Sequence, residues 1–181
     1  NQKAFISWKL DGLTIVLTYR NGMLEKAVTR GNGEVGEVIT NNAKTFKNLP
    51  LRISYPGELI LRGEAVIGYQ DFEKINEEIE DVEAKYKNPR NLCSGSVRQL
   101  NNEITAKRNV QFFAFSLVKA DDVDFKNSRI CQLTWLKEQG FKIKGISSDT
   151  FQSADTGQQL IARGINYTTI SVDRVDSDRI C

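Results

Sequence analysis

Apolar and polar positions alternate from the start of the chain. Phe5–Leu10 and Leu13–Tyr19 read as strands, and Met23–Thr29 returns as a partner strand after Asn21-Gly22. That dipeptide favours the left-handed backbone of a two-residue hairpin turn. The pattern then breaks over 29–45, TRGNGEVGEVITNNAKT, where glycines 31, 33 and 36 predict a loop that can approach a ligand closely. A short helix is expected over Glu37–Thr45, followed by punctuation at Pro50 and Pro56-Gly57. Glu58–Ile67 reads as a strand that carries Arg62-Gly63-Glu64 in an apolar frame.

Residues Tyr69–Ala84 have helical periodicity, with Phe72, Ile75, Ile79 and Val82 on one face. A polar loop follows to about Ser94, then a short helix or turn over 95–100. Val110–Val118 is expected as a strand and Arg129–Gln139 as a helix stopped by Gly140. Phe141–Ile146 reads as a strand, and Asp155–Arg163 as a helix stopped by Gly164. Helices falling between hairpin-linked strand groups predict an α+β fold with mostly antiparallel sheets and flanking helices. The 181 residues read as one domain, 1–181, and because the first strand starts almost at once the chain looks cut from something longer.

Composition narrows the chemistry. Hydrophobic residues make up 40% and charged residues 27%, as in globular domains. No apolar run approaches the roughly 20 residues of a membrane span, and the N-terminus lacks a secretory pattern. Cysteines 93, 131 and 181 are far apart with no CxxC pair, which fits a reducing cytoplasm and neither a zinc site nor a disulfide framework. Histidine is absent, so Ser-His, Cys-His and His-metal chemistry is excluded, and a general base must be Lys, Asp, Glu or Tyr. Net charge is only +2 but uneven. Seven acids crowd residues 71–83, which reads as a solvated helix face. Lys85, Lys87, Arg90, Arg98, Lys107 and Arg108 crowd 84–110, a surface suited either to solvent or to phosphate.

One short stretch, FISWKLDGL at 5–13, sets a lysine in a strand-like frame. By itself Lys9 beside Asp11 reads as a pair at a strand end. As chemistry, a lysine held in an apolar wall loses its proton more easily and becomes a nucleophile, with Asp11 to orient it or bind a metal and Gly12 to let the backbone turn away. The rest of the chain supplies company. Arg30 closes the returning strand beside the glycine loop, Glu64 follows Arg62-Gly63, and Arg90 and Arg98 flank NLCSGSV. Forked guanidinium donors suit phosphate, and a strand carboxylate can accept from ribose hydroxyls.

Taken in order, WKLDG, TRGNGEVGEVIT, LRGE, NPRNLCSGSVRQL and ITAKRNVQFFAF resemble the adenylation domain of bacterial NAD-dependent DNA ligase, from about residue 5 to 118, with a looser match at LTWLKEQGF. The resemblance implies a nucleotidyltransferase fold with an ATP-grasp-like topology. It implies that a lysine attacks the adenylyl phosphate of NAD, that nicotinamide mononucleotide leaves, and that lysyl-AMP passes its AMP to the 5′-phosphate of nicked double-stranded DNA with magnesium present. By the same resemblance Lys9 is the nucleophile and Asp11 its motif carboxylate. Leu10, Gly12, Arg30 and Glu64 contact the nucleotide, Glu64 at the ribose. Arg90 and Arg98 lie on the phosphate and DNA side. No metal ligand is assigned.

Departures from the family pattern accompany the match. Ser7 stands where a glutamate is usual, Asn32 and Val38 where aspartates are usual, and Cys93-Ser94-Gly95-Ser96 replaces A-A-G-S. The stretch ISVDRVDSDRIC at 170–181 carries Arg174 in place of a motif glycine, with no late lysine after it. The family's N-terminal nicotinamide-gripping module and downstream nucleic-acid-binding domains are expected in a full-length chain. The expectation is therefore a piece of a ligase, or a shortened relative, unable to complete ligation by itself. The alternative is a degenerate module that binds adenine nucleotide or nucleic acid without chemistry. An ATP-dependent ligase or capping enzyme would share K-x-D-G but not NPRN…GSVRQL.

Overall fold

The hairpin at Asn21-Gly22 forms as its sequence predicts. Both residues have positive φ, 51° and 71°, and they join β2 (Leu13–Arg20) to β3 (Met23–Thr29). The computed structural model describes residues 5–7, 9–31, 35–143, 146–149 and 167–170. Residues Leu10–Lys142 form one compact unit, and the remaining described residues belong to a second.

In the larger unit, β4 (Leu59–Val66) and β5 (Gln111–Ala120) complete an antiparallel sheet in the order β3-β2-β4-β5. Alternation decides its two faces. Ile15, Leu17 and Tyr19 of β2, Leu59, Leu61 and Ala65 of β4, and Phe112 and Ala114 of β5 are buried. Thr14, Val16, Arg62 and Glu64 alternate to the other face and are less covered. The helices α1 (Thr40–Ala43), α3 (Pro89–Val97) and α5 (Arg129–Glu138) pack on the sheet, and Ala43, Leu92, Val97, Leu133 and Leu136 complete the core. Tyr19 lies edge-on to Phe141 at 5.4 Å and donates its hydroxyl to the Pro50 carbonyl at 2.6 Å. Burial raises its phenol pKa well above the usual value.

The second unit contains β1 (Phe5–Ser7), β6 (Ile146–Asp149) and β7 (Tyr167–Ile170) in the order β1-β6-β7. β1 runs antiparallel to β6, and β6 parallel to β7. The fold is α+β, with a four-stranded antiparallel sheet as its largest element.

Several boundaries differ from the sequence reading, each for a local reason. The helix expected over Glu37–Thr45 shrinks to α1, because Val38 instead bridges Val28 and the Thr29 N–H donates to Glu37. The helix expected over Tyr69–Ala84 ends early as α2 (Tyr69–Glu77). Acids at 77, 78, 80 and 81 crowd its negative C-terminal end, where carboxylates are unfavourable. Asp81 instead accepts from the Glu83 N–H at 3.0 Å and starts a separate short 3₁₀ turn over Val82–Ala84. Val82, expected on the buried face, is 76% exposed.

Residues 89–94 are not loop. Asn88 accepts from the Asn91 N–H at 2.8 Å, Pro89 takes the first helical position, and α3 begins there. The expected strand Phe141–Ile146 is also displaced. Phe141 is buried in the core of the larger unit without strand structure, and the strand begins at Ile146. A helix absent from the sequence reading, α4 (Asn102–Lys107), follows α3 and is capped by Asn101, which accepts from the Glu103 N–H at 2.9 Å. The helix expected at Asp155–Arg163 lies outside the described residues.

Candidate nucleotide site

Strand register brings one group of the expected residues together. Thr14 on β2 lies opposite Glu64 on β4, and the Arg30 N–H donates to the Thr14 carbonyl at 3.1 Å. The Glu64 carboxylate receives two donors, one on each oxygen. The Gly12 N–H reaches Oε1 at 3.2 Å, and the Thr14 hydroxyl reaches Oε2 at 2.9 Å. Gly12 is required by close approach, since a Cβ there would sit 2.1 Å from the Ala65 carbonyl oxygen. The short residue lets the Asp11–Leu13 turn lie against β4 and aim its N–H at Glu64.

Asp11 and Arg90 form a second pair. The Arg90 guanidinium, on the first turn of α3, donates to Asp11 Oδ1 at 3.0 Å, with both side chains largely exposed. Exposed pairs of this kind contribute little to stability, so the guanidinium can exchange partners at small cost. Arg98, at the C-terminal end of α3, donates to Glu37 and to the Ser94 hydroxyl, and at 3.2 Å to the Ser94 carbonyl. The two arginines assigned to phosphate are thus held by carboxylates from two different loops. Arg108 is different. It donates to the Tyr86 hydroxyl at 3.2 Å and to Ser96 Oγ at 3.1 Å, and lies 5.5 Å from the centre of the Tyr86 ring. It ties α4 to α3 and is not a free surface cation.

Lys9 is exposed and is the last residue of its segment in the smaller unit; the chain enters the larger unit at Leu10, which is half-buried. Arg30 is exposed at the end of β3. Cys93, which replaces a motif alanine, is buried and donates its thiol to the Ala65 carbonyl at 3.2 Å. Burial, and then the nearby Glu64 carboxylate, pushes the thiol pKa up to about 12, so it stays protonated and serves packing. Among the described residues no group of three or more His, Cys, Asp or Glu side chains is arranged to hold a metal ion. No helix among them is long and apolar enough to cross a membrane.

Two contributors escaped sequence reasoning. Thr14 looks like an ordinary strand residue, and Glu37 like the start of a helix. Their roles come from partners 50 and 61 residues away, and no local pattern marks them.

In sequence Lys9-x-Asp11-Gly12 runs directly into the strand whose Thr14 donates to Glu64, and the order of these motif residues along the chain points to a family. Comparison with known families makes this specific: residues 1–170 match the NAD-dependent DNA ligase adenylation domain, and the chain belongs to that family. It is 63% identical over 172 residues to a DNA ligase of Ruminiclostridium cellulolyticum, covering 95% of this chain and 26% of that protein. It is 70% identical over 143 residues to a DNA ligase of Lachnoclostridium phytofermentans, covering 79% and 22%. A DNA ligase of Clostridioides difficile is 42% identical over 144 residues, covering 79% and 21%. The chain spans about a quarter of the length of these relatives.

Proposed function

We propose that this chain is the nucleotidyltransferase core of an NAD-dependent DNA ligase, with both units belonging to one adenylation domain. The substrate is NAD. The Lys9 amine, once deprotonated, attacks the adenylyl phosphorus. A P–N bond forms, the P–O bond to nicotinamide mononucleotide breaks, and that nucleotide leaves with the electron pair. Glu64 accepts from the ribose, while Arg30, Leu10 and Gly12 contact the nucleotide. Arg90 and Arg98 exchange their carboxylate partners for phosphate oxygens, first of the nucleotide and then of nicked duplex DNA. The 5′-phosphate of the nick then displaces Lys9 from AMP. Cysteine usage fits a cytoplasmic enzyme.

The observation that carries this reading is the continuity of Lys9-x-Asp11-Gly12 with the strand that orients Glu64 through Gly12 and Thr14. Positioning of this kind is a main resource of a phosphoryl-transfer site. A resident metal does not fit the described residues, which lack a ligand cluster. Magnesium belongs to the proposal as an ion carried on substrate phosphates, the usual way it is held. Nothing in the site favours the degenerate-module alternative.

The test is intact mass spectrometry after incubation with NAD and magnesium. One AMP should add to the chain, at low yield without the nicotinamide-gripping module, and the adduct should vanish in Lys9→Ala. Robust adenylylation of Lys9→Ala overturns the assignment.

A further inference from the structure

We infer that Thr14 is a positioning residue for Glu64, and that it sets how strongly the site distinguishes a ribose from a sugar without hydroxyls. The inference rests on the nucleotide reading above and adds a residue to it.

An ionised carboxylate offers about four lone-pair sites. In Glu64 one site on each oxygen is already used, by the Gly12 N–H and the Thr14 hydroxyl. One site on each oxygen remains, which matches a pair of vicinal hydroxyl donors. The two internal donors come from Gly12 and Thr14, two residues apart in one short segment, so they fix the rotation of the carboxylate group, which is otherwise broad for a glutamate. Thr14 is itself held. Its β-branch restricts its side-chain rotation, and its carbonyl accepts the Arg30 N–H at 3.1 Å. It therefore links Arg30 through the main chain to Glu64 through the side chain. No cation pairs with Glu64 among the described residues, so these neutral donors alone set its orientation and leave its charge available. Without the hydroxyl, Oε2 loses its internal partner and the group can turn away from the ribose.

The experiment titrates the whole chain with AMP and with 2′,3′-dideoxy-AMP by NMR, in wild type, Thr14→Val, Thr14→Ser and Glu64→Gln. Wild type should prefer AMP. Thr14→Val keeps the shape without the donor, and should narrow that preference about tenfold while leaving dideoxy-AMP affinity unchanged, the loss expected for one hydrogen bond to a charged acceptor. Thr14→Ser should restore the preference. Equal weakening of both ligands by Thr14→Val would assign Thr14 a structural role only and overturn the inference. So would an unchanged preference in Thr14→Val when Glu64→Gln erases it, with the nucleotide reading left standing. A wild-type chain that binds neither ligand, or shows no preference, overturns both.

Discussion

Strand β4 has a glutamate just before its start and another near its end, and the two keep different company. Glu58 accepts from Arg20 at 2.8 Å and from Lys119, so two cations neutralise it. Glu64, six residues on, accepts among the described residues only from a backbone N–H and a hydroxyl. The first carboxylate is closed by its partners and joins β2, β4 and β5 at one end of the sheet. The second is oriented by groups that bring no charge, so its remaining lone pairs are the ones the proposed ribose contact would use. Leu59 and Leu61 between them, and Ala65 just after the second, are fully buried. The eight-residue strand and the residue just before it thus carry buried, ion-paired and neutrally bonded positions, separated by side-chain parity and by strand end.

The strongest way to break this division is at its core face. Leu61→Ala removes a fully buried side chain and should lower unfolding free energy by about 2–5 kcal/mol in urea titration. Glu64→Gln, three residues on, should change stability by less than about 1 kcal/mol. If the two cost the same, Glu64 is a structural residue and the division fails.

Gly12→Ala is expected next in size. The added methyl meets a main-chain oxygen that has no rotamer to escape by, so the turn must move and carry its N–H away from Glu64. Overpacking of this kind costs about 1–3 kcal/mol. Thermal unfolding should show the loss, and in Gly12→Ala the amide signal of residue 12 should no longer respond to Glu64→Gln.

The smallest effect concerns Glu58. The hydrogen bond from Lys119, then that from Arg20, holds its carboxyl pKa below the ordinary 4.5. A carboxylate depressed in the folded state adds stability above its unfolded pKa and loses it as pH falls through the folded value. Wild type should therefore exceed Glu58→Gln in Tm by a small, constant margin at about pH 6–8. The margin should shrink toward zero below about pH 4. A margin that grows in acid would contradict the pairing.

Much of this protein was legible in local pattern. The alternation of β2, β3 and β4, the Asn21-Gly22 turn, and the α5 helix stopped by Gly140 stand within a residue or two of their sequence reading. These elements depend on periodicity and on residues with special backbone preferences, both of which are local properties of the chain. The motif residues were legible for the same reason, since their order along the chain is itself the signal. Local pattern failed where two local rules competed. Helical periodicity over 69–84 lost to carboxylate crowding at the helix end, and a polar appearance at 88–94 hid the Asn88-Pro89 start of α3.

What only the tertiary structure decided is who faces whom. That Thr14 lies opposite Glu64, that Arg90 reaches Asp11 from 79 residues away, and that Arg108 is spent on Tyr86 follow from strand register and helix docking. A hydrogen bond is sensitive to tenths of an ångström and to direction, whereas a sequence pattern specifies only faces and periods. The sequence by itself therefore named the motif residues that the proposed chemistry uses. Packing decided which of them are held ready, and by which partners.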